Sequence, residues 1–138
     1  MDLGTGTGIL ALAAGRLGAE HVLAIDLQPL AVETAMANVR RNALEDVVEV
    51  RLGDATQPLH EPADLIVANL TYDIICSLLE RPWVGPRRWC IFSGVVGGQV
   101  KRLKERLGSL GFRVLEVSGE NLWFSLLASS PHVCPGGV

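Results

Sequence analysis

Hydrophobic and polar positions alternate along this chain with two periods that exchange in a regular order. Short apolar runs at Met1–Leu3, His21–Ile25, Val47–Leu52, Ala63–Asn69, Trp89–Ser93, Phe112–Ser118 and Leu122–Ser129 have the length and composition of strands. Helix-period segments separate most of them. Over Pro29–Asn42 the apolar positions Val32, Ala35, Met36 and Val39 fall on one face, and Pro29 suits a first helical turn, where its missing N–H costs nothing. Over Gly98–Leu110 the face is Val100, Leu103, Leu107 and Leu110, with Gly111 placed to cap the helix in the left-handed region. Ile9–Leu17 and Tyr72–Leu79 complete the helices. Strand alternating with helix predicts an α/β fold, a doubly wound, mostly parallel sheet with helices on both faces. The last two strands are separated only by Gly119-Glu120-Asn121, too short for a crossover, and are expected to form an antiparallel hairpin.

The 138 residues are one domain's worth of chain, and 49% hydrophobic against 20% charged residues is a globular balance. Apolar runs are interrupted well short of membrane-spanning length, and no signal peptide precedes the first motif. Cys76, Cys90 and Cys134 form no CxxC pair and no ligand cluster with His21, His60 and His132, so no metal is expected and the cysteines read as reduced, cytoplasmic thiols. A net charge of -3 argues against broad nucleic-acid binding.

The chemistry concentrates at the front of the chain. Asp2 precedes Gly4, Gly6 and Gly8, which turn the chain from a strand into the helix at Ile9, and Asp26 ends the second strand eighteen residues beyond Gly8. Glycines there permit unusual backbone conformations and leave room for a ligand against the peptide plane, and a helix start offers unpaired N–H groups. A carboxylate at the end of the second strand is where ribose hydroxyls are bound in such folds. A dinucleotide fingerprint asks for a glycine where Ile9 stands, and a pyrophosphate would be repelled by Asp2. S-adenosylmethionine (SAM) carries an amine and a sulfonium and no phosphate, so the acid favours it over a nicotinamide dinucleotide.

Asp-Leu-Gly-Thr-Gly-Thr-Gly-Ile-Leu-Ala from Asp2, then Ala24-Ile25-Asp26, Pro29 to Glu33, Leu52-Gly53-Asp54 and Val67-Ala68-Asn69-Leu70 resemble a class I, Rossmann-like methyltransferase. More narrowly, with Phe92-Ser93-Gly94 and Gly119-Glu120 before Trp123, the chain resembles the PrmA-type ribosomal protein methyltransferases, which modify amino groups of a large-subunit protein. The resemblance covers residues 1–129, read as the methyltransferase domain, with 130–138 as a flexible tail. It implies SAM as cofactor and a ribosomal protein as substrate partner. It implies cofactor contacts from Asp2, Gly4, Thr5, Gly6, Thr7, Gly8, Asp26, Leu27, Asp54, Ala55 and Asn69: Asp2 and the loop at the methionine moiety, Asp26 at the ribose, Asp54 and the Ala55 backbone at the adenine. Asn69 would border the methyl group and position the nucleophile. Against the family pattern, the first strand is truncated and a leading recognition domain is missing, so an inert remnant that binds SAM is a second reading. A nucleic-acid amine methyltransferase is a third, weakened because Asn69-Leu70-Thr71-Tyr72 lacks the two prolines usual after the asparagine in adenine-modifying members.

Each residue has an ordinary alternative. The glycines could make only a tight turn, Asp26 could cap the helix at Pro29, Asp54 could be a turn residue, and Asn69 could cap the helix at Tyr72. Tyr72 could line an acceptor pocket or be a packed aromatic, and Cys76 and Cys90 read as core. Arg87, Arg88, Lys101, Arg102, Lys104 and Arg106 read as a solvated basic face.

Overall fold

The computed structural model describes residues 1–57, 61–80 and 87–131. The chain falls into two compact units, Met1–Ala55 and Thr56–Val138.

The first unit runs β1 (Asp2–Leu3), α1 (Ile9–Arg16), β2 (Val22–Asp26), α2 (Pro29–Arg41) and β3 (Val48–Leu52). Its strands are parallel in the order β3-β2-β1, with Ala24 opposite both Asp2 and Val50. Val22 to Ile25 are buried without interruption, which is why β2 reads as a continuous apolar run rather than an alternation. Ala11 and Leu12 of α1, Val39 of α2 and Val22, Ala24 and Val48 of the sheet form one cluster with Leu44. Short as β1 is, Leu3 is fully buried, and the N–H groups of Gly4 and Thr5 both donate to the Ile25 carbonyl, continuing the pairing into the loop. The helical face expected on α2 holds at Ala35 and Val39, whereas Met36 is 38% exposed and departs from it. The helix ends through Ala43 at φ 50, with Leu44 N–H donating to Val39 and Ala43 N–H to Arg40, a left-handed cap on a residue other than glycine.

The second unit runs β4 (Ala63–Asn69), α3 (Tyr72–Leu79), β5 (Arg87–Val96), α4 (Gly97–Ser109), β6 (Arg113–Glu120) and β7 (Trp123–Ser129). The strand order is β4-β5-β7-β6, with β4 and β5 parallel and β7 antiparallel to both neighbours. The expected hairpin is present, but its turn is Asn121–Leu122, because pairing continues to Glu120 opposite Trp123 and Asn121 takes the positive φ of 56. One face of this sheet is closed by Ile66, Ala68, Cys90, Phe92, Val95, Leu126 and Ala128, all at most 1% exposed. Leu103 and Leu107 of α4 are equally buried, and Gly111 at φ 82 caps that helix, with Phe112 N–H returning to the Leu107 carbonyl. The basic residues of α4 are distributed: Lys101 lies 3.9 Å from Glu105, Arg106 3.3 Å from Glu80, and the Arg102 guanidinium sits 5.0 Å from the Tyr72 ring centre. Cys90 is buried, as expected of a core thiol, while Cys76 is only half-buried. Ser130 is buried and Pro131 lies beside Gly111; residues 132–138 of the expected tail, with His132 and Cys134, fall outside the described residues, as do His60 and the side chains of Arg87 and Arg88.

Among the described residues no helix is long and apolar enough to cross a membrane, and no group of three or more His, Cys, Asp or Glu could hold a metal ion.

Candidate functional site

The first unit builds a cradle where β1 passes into α1. Gly4, Gly6 and Gly8 have φ of 72, 56 and 82, so this turn enters the left-handed region at every second residue, with Thr5 and Thr7 between them outside it. The glycines serve different ends. A Cβ on Gly6 would meet nothing within 4 Å, so this peptide faces open space, whereas one on Gly8 would lie 3.2 Å from the Ala35 Cβ. Gly8 therefore lets α1 and α2 pack, while Gly6 keeps the loop accessible. Thr7 is exposed, and its carbonyl accepts from Asn38 Nδ2 at 2.9 Å, anchoring the loop to α2.

Asp2 lies beneath this loop, 2% exposed. One carboxylate oxygen, Oδ2, accepts from the Thr5 hydroxyl at 2.5 Å and from the Ala11 N–H at 3.1 Å. The other, Oδ1, is buried with no hydrogen-bond partner. Burial pushes the Asp2 carboxyl above its ordinary value, and the bonds from Thr5 and Ala11 oppose the shift without cancelling it. An unpaired buried carboxylate oxygen is costly, so a donor or cation brought to Oδ1 recovers stabilisation that the chain alone lacks.

Asp26 closes β2 and is half-buried. Its Oδ2 accepts from Gly6 N–H at 2.8 Å and its Oδ1 from Gln28 N–H at 2.9 Å. The residue is not the cap of α2, since Gln28 occupies that position. Asp26 ties the glycine loop to the strand end and keeps a second lone pair on each oxygen for further donors. Its main-chain carbonyl accepts from Gly53 N–H at 2.8 Å, which brings the segment carrying the half-buried Asp54 and Ala55 to the same end of the parallel strands. Leu27 is 67% exposed and Ile9 65%, apolar surface flanking the loop and the end of β2. Asp2, the loop from Gly4 to Gly8, Asp26, Leu27, Asp54 and Ala55 thus stand at the carboxyl ends of β1, β2 and β3, where open α/β sheets bind ligands.

Asn69 belongs to the second unit, at the end of β4. It does not cap α3, whose N-cap is Thr71. It is exposed and lines a cavity of about 650 Å³ with Ser93, Gly94, Ser118, Glu120, Trp123 and Ser125 among its walls. Gly94 sits in a bulge of β5 at φ 84, and a Cβ there would come 2.6 Å from the Leu70 carbonyl oxygen and 2.9 Å from Asn69 Oδ1. Only a residue without a side chain leaves those two acceptor oxygens uncovered. Tyr72 is not among the residues lining this cavity. The hairpin wall was missed by sequence reasoning, which took Phe92-Ser93-Gly94 and Gly119-Glu120 only as family markers. The available signal was the alternation Ser118, Glu120 and Trp123, Ser125 around the turn.

The fold has solved counterparts. The crystal structure of a ribosomal protein L11 methylase from Lactobacillus delbrueckii subsp. bulgaricus superposes with a TM-score of 0.83 at 30% identity, covering 95% of this chain and 68% of that one. The magnesium protoporphyrin IX methyltransferase of Synechocystis PCC 6803, solved with SAM bound, shares the fold at a TM-score of 0.74 and 18% identity, over 94% of this chain and 68% of its own. A ribosomal protein L11 methyltransferase of Bacillus cytotoxicus is 39% identical over 132 residues, 94% of this chain and 42% of its own.

Architecture and cradle together are of the SAM-dependent methyltransferase class, in its doubly wound, Rossmann-like form with an antiparallel C-terminal hairpin. SAM is the cofactor of that class. The family model for ribosomal protein L11 methyltransferase (PrmA) matches residues 1–131, and the chain belongs to this family. It spans less than half the length of the curated relatives it matches, 44%, 42% and 41% of the first three.

Proposed function

We propose that residues 1–129 bind SAM in the first unit and transfer its methyl group to amino groups of a protein, a ribosomal protein of the large subunit, in the cytoplasm. The observation that carries the cofactor half is Asp2 Oδ1, a buried acceptor without a partner beside a loop whose Gly6 is open. A cationic amine suits it, and a phosphate does not. Asp2 and the loop from Gly4 to Gly8, with Thr5 and Thr7, hold the methionine moiety. Asp26 receives the ribose hydroxyls on its remaining lone pairs. Asp54 and the Ala55 backbone meet the adenine, with Leu27 against its ring.

When bound, SAM supplies an activated methyl group on a positively charged sulfur. The chain's own residues then need only orient the acceptor nitrogen and let it shed its proton, since alignment supplies most of the acceleration. In the second unit the Asn69 side-chain oxygen and the Leu70 carbonyl offer two acceptors beside Gly94, suited to hold an amine by its N–H groups. Relatives named ribosomal protein L11 methyltransferase support a ribosomal protein as the acceptor.

The test is calorimetric titration of the chain with SAM, followed by a methylation assay on large-subunit ribosomal protein. Asp26→Ala removes bonds to a charged acceptor worth about 1.5–3 kcal/mol, so SAM affinity is expected to fall about ten- to a hundredfold. Undiminished affinity removes the ribose assignment. Binding without methylation keeps the cofactor half and discards the acceptor half.

A further inference from the structure

The cavity of the second unit has an internal order of its own. Register pairs Asn69 with Ser93, Ser93 with Ser125, and Ser125 with Ser118. Directly opposed residues present their side chains on one face, so a polar row crosses all four strands from β4 to β6. Beyond it lies a second row, in which Val96 opposes Trp123 and Trp123 opposes Glu120. The bulge at Gly94 aligns these rows, because it returns Val96 to the face Ser93 occupies while Val95 is buried on the other. Among the described residues lining the cavity, Glu120 is the only one with a charged side chain. Glu116 stands two positions before Ser118 on β6, accepting from the Ser118 hydroxyl at 2.8 Å, which leaves the Ser118 oxygen able to accept. Trp123, directly beside Glu120, is 59% exposed.

Carboxylate and uncovered indole side by side suit an organic cation, which gains a charge-assisted bond from one and the face of the other. That cation cannot be the amine held at Asn69. Three strand spacings separate β4 from β6, about 14 Å in all, and a lysine side chain does not span that distance while keeping its nitrogen at Asn69. Extended peptide covers the same span in about four residues.

We propose that Glu120 and Trp123 form a second subsite that binds a basic side chain of the acceptor polypeptide about four residues from the methylated amine, the acceptor lying extended along the serine row. The inference rests on the amine-acceptor reading above. It makes Glu120 a specificity-determining residue with no part in the chemical step.

The experiment titrates the chain, with and without SAM, with ten-residue peptides carrying one target lysine and an arginine, glutamine or glutamate four positions away. The arginine peptide is expected to bind about five- to tenfold more tightly than the glutamine peptide, the range between an exposed and a well-placed interfacial charge pair. Glu120→Gln should abolish that preference, and Glu120→Lys should reverse it in favour of the glutamate peptide. Trp123→Leu should reduce it about two- to fivefold. Glu105→Gln, which removes the same charge from the outer face of α4, should leave it intact. Equal binding of the three peptides by the unaltered chain, or a preference that survives Glu120→Gln, overturns the proposal. Failure of SAM to bind in the same titrations would instead strike the cofactor reading, and the peptide comparison without SAM stands apart from that result.

Discussion

Asp2→Asn separates two properties that the wild-type carboxylate combines. In the cofactor-free chain Asp2 is a buried carboxyl with one oxygen unpaired, and desolvation raises its titration above the ordinary 3.8. The sign follows from linkage. Between 3.8 and the raised folded value the native state holds a proton that the unfolded chain has released, so stability falls as pH rises through that window and the penalty persists above it. Bringing the cofactor's ammonium to Oδ1 lowers the carboxyl's titration again, so binding releases a proton in that window and SAM affinity rises with pH across it. Asparagine keeps an oxygen for Thr5 and Ala11 but cannot offer a charged acceptor to the amine. Losing one charge-assisted bond costs about 1.5–3 kcal/mol, which at about 1.4 kcal/mol per decade is a ten- to hundredfold weaker Kd. Calorimetry in two buffers of different ionisation enthalpy gives both the affinity and the protons released. The expected outcome is tight binding with proton release for the wild type, against weak binding without a pH-dependent part from this site for the variant. An Asp2→Asn variant that binds SAM as the wild type does, or a wild type that takes up protons on binding, refutes the assignment of Oδ1 to the amine.

Three further outcomes are expected. Gly94→Ala places a Cβ 2.6 Å from the Leu70 carbonyl oxygen at a φ of 84 and should cost about 2 kcal/mol or more, read as a lowered denaturation midpoint in urea. Ala43→Gly relieves the left-handed cap of α2 and should gain about 1 kcal/mol in the same assay, with SAM binding unaltered; a loss of stability would contradict the cap. Gly119→Val sets a side chain where even a Cβ would lie 2.5 Å from the Phe124 ring, so the hairpin should loosen and amide exchange along β6 should accelerate by at least roughly tenfold.

The cradle was legible in sequence because it is local: acid, three glycines and helix start follow one another within ten residues, and each glycine is needed at its own φ. Asp26 was legible because a strand must end before α2 begins, and Pro29 marks that beginning. The hairpin's existence was equally plain, while its turn was displaced because strand pairing continued further than the glycine suggested. Met36 escaped its predicted face because three apolar neighbours alone do not fix the edge of a helix stripe. Ala43 carried no signal, since alanine is an unusual occupant of a left-handed cap. Least legible was the row from Asn69 to Ser118. Its members come from four strands, and only register, including an unpaired residue in β5, brings them into line.

The odd residue in β5 has a meaning for how this chain tolerates change. Strand β5 faces one way up to Ser93 and resumes with its sides exchanged at Val95, so Gly94 works as a phase-shifter between the buried half of the strand and the mouth of the cavity. Drawn into regular pairing, Gly94 would shift the residues after it by one position, turning Val95 outward and Val96 inward, so that α4, which follows at once, would start on the wrong side. Excising it instead leaves Val95 and Val96 on the faces they already occupy. A one-residue deletion is therefore absorbed as loss of the bulge, at the expense of the opening that Gly94 leaves beside Asn69 and Leu70, and a library that diversifies the acceptor mouth should keep Gly94 while varying the hairpin opposite.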